Sequence, residues 1–150
     1  SRAVGDYDAC TDGHARTRCD ENLREKEFSS QRQVMFKYFT LEEFDCQETG
    51  ENGIKEEFVA ALDALREKCG FSFRITSGFR SPRHSREVKK PNGPGQHGKG
   101  CAADIAINSG RERYIIVANA LELGFSGIGI AKTFVHVDIR QTTPVIWTYK

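Results

Sequence analysis

The sequence of 150 residues holds five cysteines but no Cys-x-x-Cys pair, so neither a cysteine zinc knuckle nor a thioredoxin-type redox motif has support. No stretch approaches the roughly 18 apolar residues that cross a bilayer, which argues against a membrane-spanning protein. Charge of one sign is not in excess. Lys plus Arg is 22 and Asp plus Glu is 21, a formal net charge of +1, whereas a dedicated nucleic-acid binder carries a strong basic surplus. Residues 1–20 contain no apolar core of a signal peptide, and because a cleaved leader leaves no trace in a mature chain, secretion stays open. What is present suits one ordinary domain: 38% hydrophobic and 29% charged residues, somewhat polar for a globular chain.

The cysteines are Cys10, Cys19, Cys46, Cys69 and Cys101, an odd number, so at least one is free or pairs outside the chain. Cys10, His14 and Cys19 match no common zinc spacing, and a Cys10–Cys19 disulfide is the better reading if the chain is extracellular. Residues 1–34 are rich in Arg, Asp, Glu and Ser with little periodicity, and read as a polar N-terminal extension to a compact domain over 35–150. Thr40 and Glu43 form a capping-box pattern that opens a short helix through Phe44. Lys55 to Lys68 is helical, with Phe58, Ala61, Leu62 and Leu65 on one stripe and Gly70 as the stop. Phe71 to Thr76 alternates as a strand. Residues 77–100, with Pro82, Pro91, Pro94 and five glycines, form a long loop, a feature that in compact domains is usually functional or disordered. Cys101 to Ile107 reads as a buried strand and Cys101 as filler. Ser109 caps a helix over 110–123 with Ile115, Ala118 and Leu121 inward, and strands follow at 127–130, 134–139 and 145–149. The order specifies an α+β fold, a small antiparallel or mixed sheet with helices packed on it.

Histidines and carboxylates mark the chemistry. His97 ends the long loop and Asp104 lies within the next strand. In Phe134-Val135-His136-Val137-Asp138-Ile139-Arg140, strand alternation sends His136 and Asp138 to one face and the aliphatic residues to the other. Two histidines and one carboxylate make a catalytic zinc set with a fourth position left for water. A strand-buried aspartate is costly unless paired or ligated. From spacing alone, a loop histidine and a merely capping aspartate explain His97 and Asp104 equally well.

The run Ser77-Gly78-Phe79-Arg80-Ser81-Pro82, then His97-x6-Asp104 with Gly100, Ala102 and Ala103 between, then Gly127-Ile128-Gly129-Ile130 and the segment 134–140, resembles the zinc D-Ala-D-Ala carboxypeptidase family. These cell-wall peptidases share their fold with the Hedgehog signalling domain, and the likeness is to the subgroup common in bacteriophages and bacteria. It runs from about Tyr38 to Trp147 and leaves out residues 1–34. The resemblance implies a compact α+β domain whose antiparallel sheet carries one Zn2+ per chain, held by His97, Asp104 and His136. It also implies peptidoglycan stem peptides as substrate, with Arg80 contacting them near the metal, where a planar guanidinium suits a carboxylate or peptide carbonyl.

Many relatives place a carboxylate three or about six residues before the last histidine. Here Thr133 and Ile130 stand there. Asp138 is the nearest carboxylate on the same face, either as general base or as the partner that orients His136. His84, after the arginine motif, either lines the cleft or is solvated. Trp147 and Tyr149 either wall the cleft and touch substrate or close the core, the core being the commoner fate. The basic run Arg80, Arg83, Arg86, Lys89 and Lys90 attracts anionic wall polymer or is a solvated face, and residues 42–57 are correspondingly acidic. The expected function is a zinc metallopeptidase acting on the cell wall as a monomer, phage-encoded or periplasmic or extracellular, without nucleic-acid or membrane partners. The alternative is a zinc-bearing but inactive wall-binding module or a virion component.

Overall fold

The structure, a computed structural model, describes residues 36–150. The expectations for Cys10, His14, Cys19 and the extension 1–34 lie outside the described residues. The segment opens with a single 3-10 turn, Leu41–Phe44, where the Glu43 carboxylate accepts the Thr40 N–H at 2.8 Å. Two helices follow in the chain, α1 (Glu56–Cys69) and α2 (Gly110–Glu122), and five strands: β1 (Ile75–Ser77), β2 (Ala102–Ala106), β3 (Gly127–Ile130), β4 (Phe134–Asp138) and β5 (Val145–Thr148). The strands form one sheet in the order β1-β2-β4-β3-β5.

α1 forms where its stripe requires. Phe58, Val59, Leu62 and Leu65 are buried, Glu56 and Glu57 sit in the first turn and Arg66 and Lys68 in the last, matching the helix dipole. Gly70 ends it with φ 79°. α2 is capped as expected, Ser109 Oγ accepting the Glu112 N–H at 3.2 Å. Its buried residues, however, are Ile116 and Ala120, while Leu121 is exposed and Ala118 also faces outward. The face is rotated by about one residue because Ile116 and Ala120 meet the shared core and the Cys69 end of α1 takes Asn119, whose amide donates to Cys69 Sγ at 3.5 Å.

The strand expected at Phe71–Thr76 is a ladder only over Ile75–Ser77. Phe71 and Phe73 enter the structure as an edge-to-face ring pair, 5.7 Å between centroids, with Phe73 buried. The sheet is mixed. β1–β2, β2–β4 and β3–β4 are antiparallel, but β5 runs parallel to β3. Of the antiparallel and mixed alternatives the sheet takes the mixed one, because the short segment 139–144 crosses over the start of β3. Ser126 N–H donates to the Asp138 carbonyl and Val145 N–H to the Ser126 carbonyl, which delivers β5 to the free edge.

The sheet has two unlike faces. Ala103, Ile105, Ile128, Val135 and Val137 join Phe58, Leu62, Leu65 and Ile116 in one core. Each large side chain fully buried there contributes about 1.5–3 kcal/mol. Alternation then sends Asp104, His136 and Asp138 to the opposite face. β3 reads Gly-Ile-Gly-Ile for a related reason: the isoleucines face the core side and the glycines face the polar side. Register places Gly127 opposite Asp138 and Gly129 between His136 and Trp147. A Cβ at Gly127 would overlap the Asp138 carboxylate, and one at Gly129 would press on the Trp147 indole. No helix among the described residues is long and apolar enough to cross a membrane.

Candidate metal centre

The register of β2 and β4 pairs Asp104 directly with His136, and the end of the long loop brings His97 to the same carboxylate. His136 Nδ1 lies 3.0 Å and His97 Nε2 3.2 Å from Asp104 Oδ1. One potential ligand atom from each of the three residues lies within 4.8 Å of the others, and all three residues are buried. The imidazole rings stand 5.0 Å apart at 72°.

The outer nitrogens of the two rings define this centre. His97 Nδ1 is 2.7 Å from the Gly78 carbonyl, which can only accept, so Nδ1 carries the proton. His136 Nε2 is 2.7 Å from Asp138 Oδ2, again an acceptor, so Nε2 is protonated. The inner nitrogens of the neutral rings therefore turn lone pairs toward a carboxylate. Three electron-pair donors facing one another need a cation or a proton between them. Two nitrogens and one oxygen are the donor set that zinc takes with three protein ligands and an open position, so the residues fit the metal.

Protonation answers the same need when no metal is bound. Burial disfavours the His136 cation, but the Asp104 and Asp138 carboxylates outweigh it and raise the pKa above 6.5. Burial likewise opposes the Asp104 and Asp138 anions. Hydrogen bonds from His136 and His97 in the first case, and from Arg140 and His136 in the second, nevertheless hold both well below the usual carboxylate range. A raised folded-state pKa stabilises below the unfolded value and is lost as pH rises through the folded one; for the depressed aspartates, stability is present above about 3.8 and lost on acidification. Metal-free protein should therefore unfold at lower urea concentration as pH rises above 6.5, while its zinc affinity increases in the same direction because the ring must give up its proton. Urea titrations and zinc competition at matched pH check the opposed slopes.

The loop motifs form the surroundings. Arg80 N–H donates to the His97 carbonyl at 3.2 Å, and the Arg80 side chain, 11% exposed, puts NH2 3.8 Å from Asp104 Oδ2 and NH1 3.7 Å from Glu87 Oε2. Arg80 is thus held beside the centre between two carboxylates. His84 is not a solvated loop residue. Its Nδ1 accepts the Arg86 N–H at 3.0 Å, and Nε2 lies 3.2 Å from Glu48 Oε2. The basic run docks on the acidic segment: Ser85 N–H and Oγ donate to Glu48, and Arg83 NH2 lies 2.8 Å from Glu51 Oε2. A polar groove of ≈ 340 Å³ opens between these loops, lined among others by Gln47, Glu48, Arg80, His84, Arg86 and Asp104. On the other flank Trp147, half-buried, lays its ring 5.0 Å from that of His136 at 54°, so it closes the site and not the core. Tyr149 follows it, exposed, 6.1 Å from the Trp147 ring. Cys101 is buried, its thiol donating to Gln96 Oε1 at 3.0 Å, and Cys46, Cys69 and Cys101 are free.

Asp138 is 0% exposed. Oδ1 accepts the Arg140 backbone N–H at 3.1 Å and Nε–H at 2.9 Å, while Oδ2 accepts His136 Nε2–H and an Arg140 NH2 proton, both at 2.7 Å. Sequence reasoning missed three partners. The Gly78 carbonyl and the buried Glu87 left no signal in the residue pattern, but Arg140 shares the face of 136 and 138 and alternation could have singled it out. No curated protein matches the sequence at a significant level. The family described as Peptidase M15 matches residues 37–138, a span that takes in the arginine loop, the three converging residues and the strand that ends at Asp138, and the chain belongs to this peptidase family.

Proposed function

We propose that the chain is a zinc peptidase that hydrolyses the stem peptides of peptidoglycan, with one zinc held by His97 Nε2, an Asp104 carboxylate oxygen and His136 Nδ1. The observation that carries the reading is the convergence of two imidazole lone pairs on the Asp104 carboxylate, the other nitrogen of each ring being already committed. Zinc bound there supplies Lewis-acid polarisation of a peptide carbonyl and acidifies a water toward neutral pH. The other roles belong to the chain. Arg80, beside Asp104 and bordering the groove, presents a cationic fork to a substrate carboxylate or carbonyl. His84, its ring fixed between Arg86 N–H and Glu48, forms part of the groove wall, and Trp147 forms the opposite flank.

Asp138 orients His136 and does not take the proton. An ionised carboxylate offers about four acceptor sites, and four donors occupy those of Asp138. Incubation of the zinc-loaded chain with purified peptidoglycan should release peptide fragments identified by mass, release that stops with chelator and returns with added zinc. A second reading has its own support, because Thr133 and Ile130 offer no base and Asp138 is saturated: an inactive module that binds wall. Retention on peptidoglycan without any cleavage by fully loaded protein selects that reading.

A further inference from the structure

Residues 136, 138 and 140 follow one another on the polar face, and their side chains form a closed ring with Trp147. His136 Nε2–H donates to Asp138, and the Arg140 guanidinium spans both Asp138 oxygens, with Nε–H on Oδ1 and NH2 on Oδ2. The same guanidinium lies over the Trp147 indole, 5.0 Å from Cζ to the ring centroid, and that indole packs on the His136 imidazole. Gly127 and Gly129 leave room for the carboxylate and the indole below them.

We infer that Arg140 is a positioning residue for His136, acting through Asp138 and Trp147. The inference rests on the metal reading above for its consequence, but not for its geometry. Asp138 alone could rotate about its last bond and offer either oxygen at many angles. The two-pronged grip fixes the carboxylate plane, so Oδ2 points at His136 Nε2 and the proton stays there. The ring is then locked with Nδ1 toward Asp104. Arg140 also neutralises a carboxylate that no water reaches; its own side chain is 20% exposed, so its far edge remains hydrated. Lysine could supply the charge but neither the second prong nor the flat surface against Trp147.

The test uses parent protein, Arg140→Ala, Arg140→Lys, Asp138→Asn and the double variant Arg140→Ala/Asp138→Asn. Zinc affinity is measured by competition with a chromophoric chelator, and the His136 Nε2–H proton by NMR in metal-free protein. Arg140→Ala should weaken zinc about 10–100-fold, the scale for loss of a group that orients a metal ligand. Arg140→Lys should recover only part of that loss. The double variant should bind no more weakly than the worse single one, since both act through one route. Millimolar guanidinium ion should restore affinity to Arg140→Ala, and ammonium should not. In metal-free protein the Nε2–H resonance should be protected from exchange in the parent and lose that protection in Arg140→Ala.

Folded Arg140→Ala with parental zinc affinity and an equally protected Nε2–H overturns the inference. So do additive losses in the double variant. If the parent binds no zinc, the metal reading falls, while loss of Nε2–H protection in Arg140→Ala still upholds the positioning role and unchanged protection rejects it.

Discussion

His136→Ala and His97→Ala should each leave a chain that no longer responds to zinc. A metal that binds only the folded state stabilises it by about 4 kcal/mol when present at 1,000 times its dissociation constant, and the parent should show a rise in melting temperature on that scale. Neither variant should show it, because two remaining ligands cannot complete a tetrahedral site. Peptide cleavage should fall to background in both. The metal-free forms are expected to behave differently from one another. His97 closes a loop onto the Gly78 carbonyl and faces Asp104, so its loss frees that carbonyl while Asp104 keeps His136 as a partner. His136 sits within β4, between two buried carboxylates, so its removal leaves Asp104 and Asp138 each short of a donor and lowers stability without any metal present. Metal analysis that finds full zinc occupancy in both variants rejects the ligand assignment.

Asp138→Asn separates chemistry from positioning. An amide in place of the carboxylate must turn an NH2 toward either His136 Nε2–H or the Arg140 guanidinium, where only acceptors are wanted. If Asp138 orients His136, zinc affinity should fall about 10–100-fold and kcat should return close to the parental value once zinc is raised to saturation. If Asp138 is instead a general base, zinc affinity holds and kcat falls about 100-fold or more. Zinc titration followed by kinetics at full loading distinguishes the two, and the second pattern would restore the proton-transfer role.

His136 and Asp138 were legible as a pair because a strand has a period of two, and the same arithmetic placed Val135 and Val137 in the core. Asp104 was legible because an acid inside an apolar strand needs a partner. α1 was legible to within a residue because its stripe, charges and glycine stop agree. α2 was not, since Ile115, Ile116, Val117 and Ala118 offer several apolar faces and only contact with α1 and the sheet selects Ile116 with Ala120. The direction of β5 was equally invisible. Nothing local in Val145–Thr148 says which edge the chain will reach after segment 139–144, and that choice decides whether Trp147 lies beside His136. His84 and Arg83 were open to reading as solvated because sequence spacing does not record that Glu48 and Glu51 of the acidic segment 42–57 fold against them.

The Asp104–His136 rung has a further consequence for how this chain reaches its native state. Slipping β2 past β4 by one position would set Asp104 opposite Val135 or Val137. Side chains alternate, so the slip would bring a carboxylate level with the greasy layer and turn aliphatic groups to the wet side. The metal could then find no pair of ligands across the two strands. Zinc held as proposed would act as a proofreader of strand alignment, rewarding only the one pairing in which the oily layer is also complete. Refolding with zinc present should discriminate against misaligned sheets more strongly than refolding without it, and the gain should appear in the yield of correctly paired molecules more than in the speed of the first collapse.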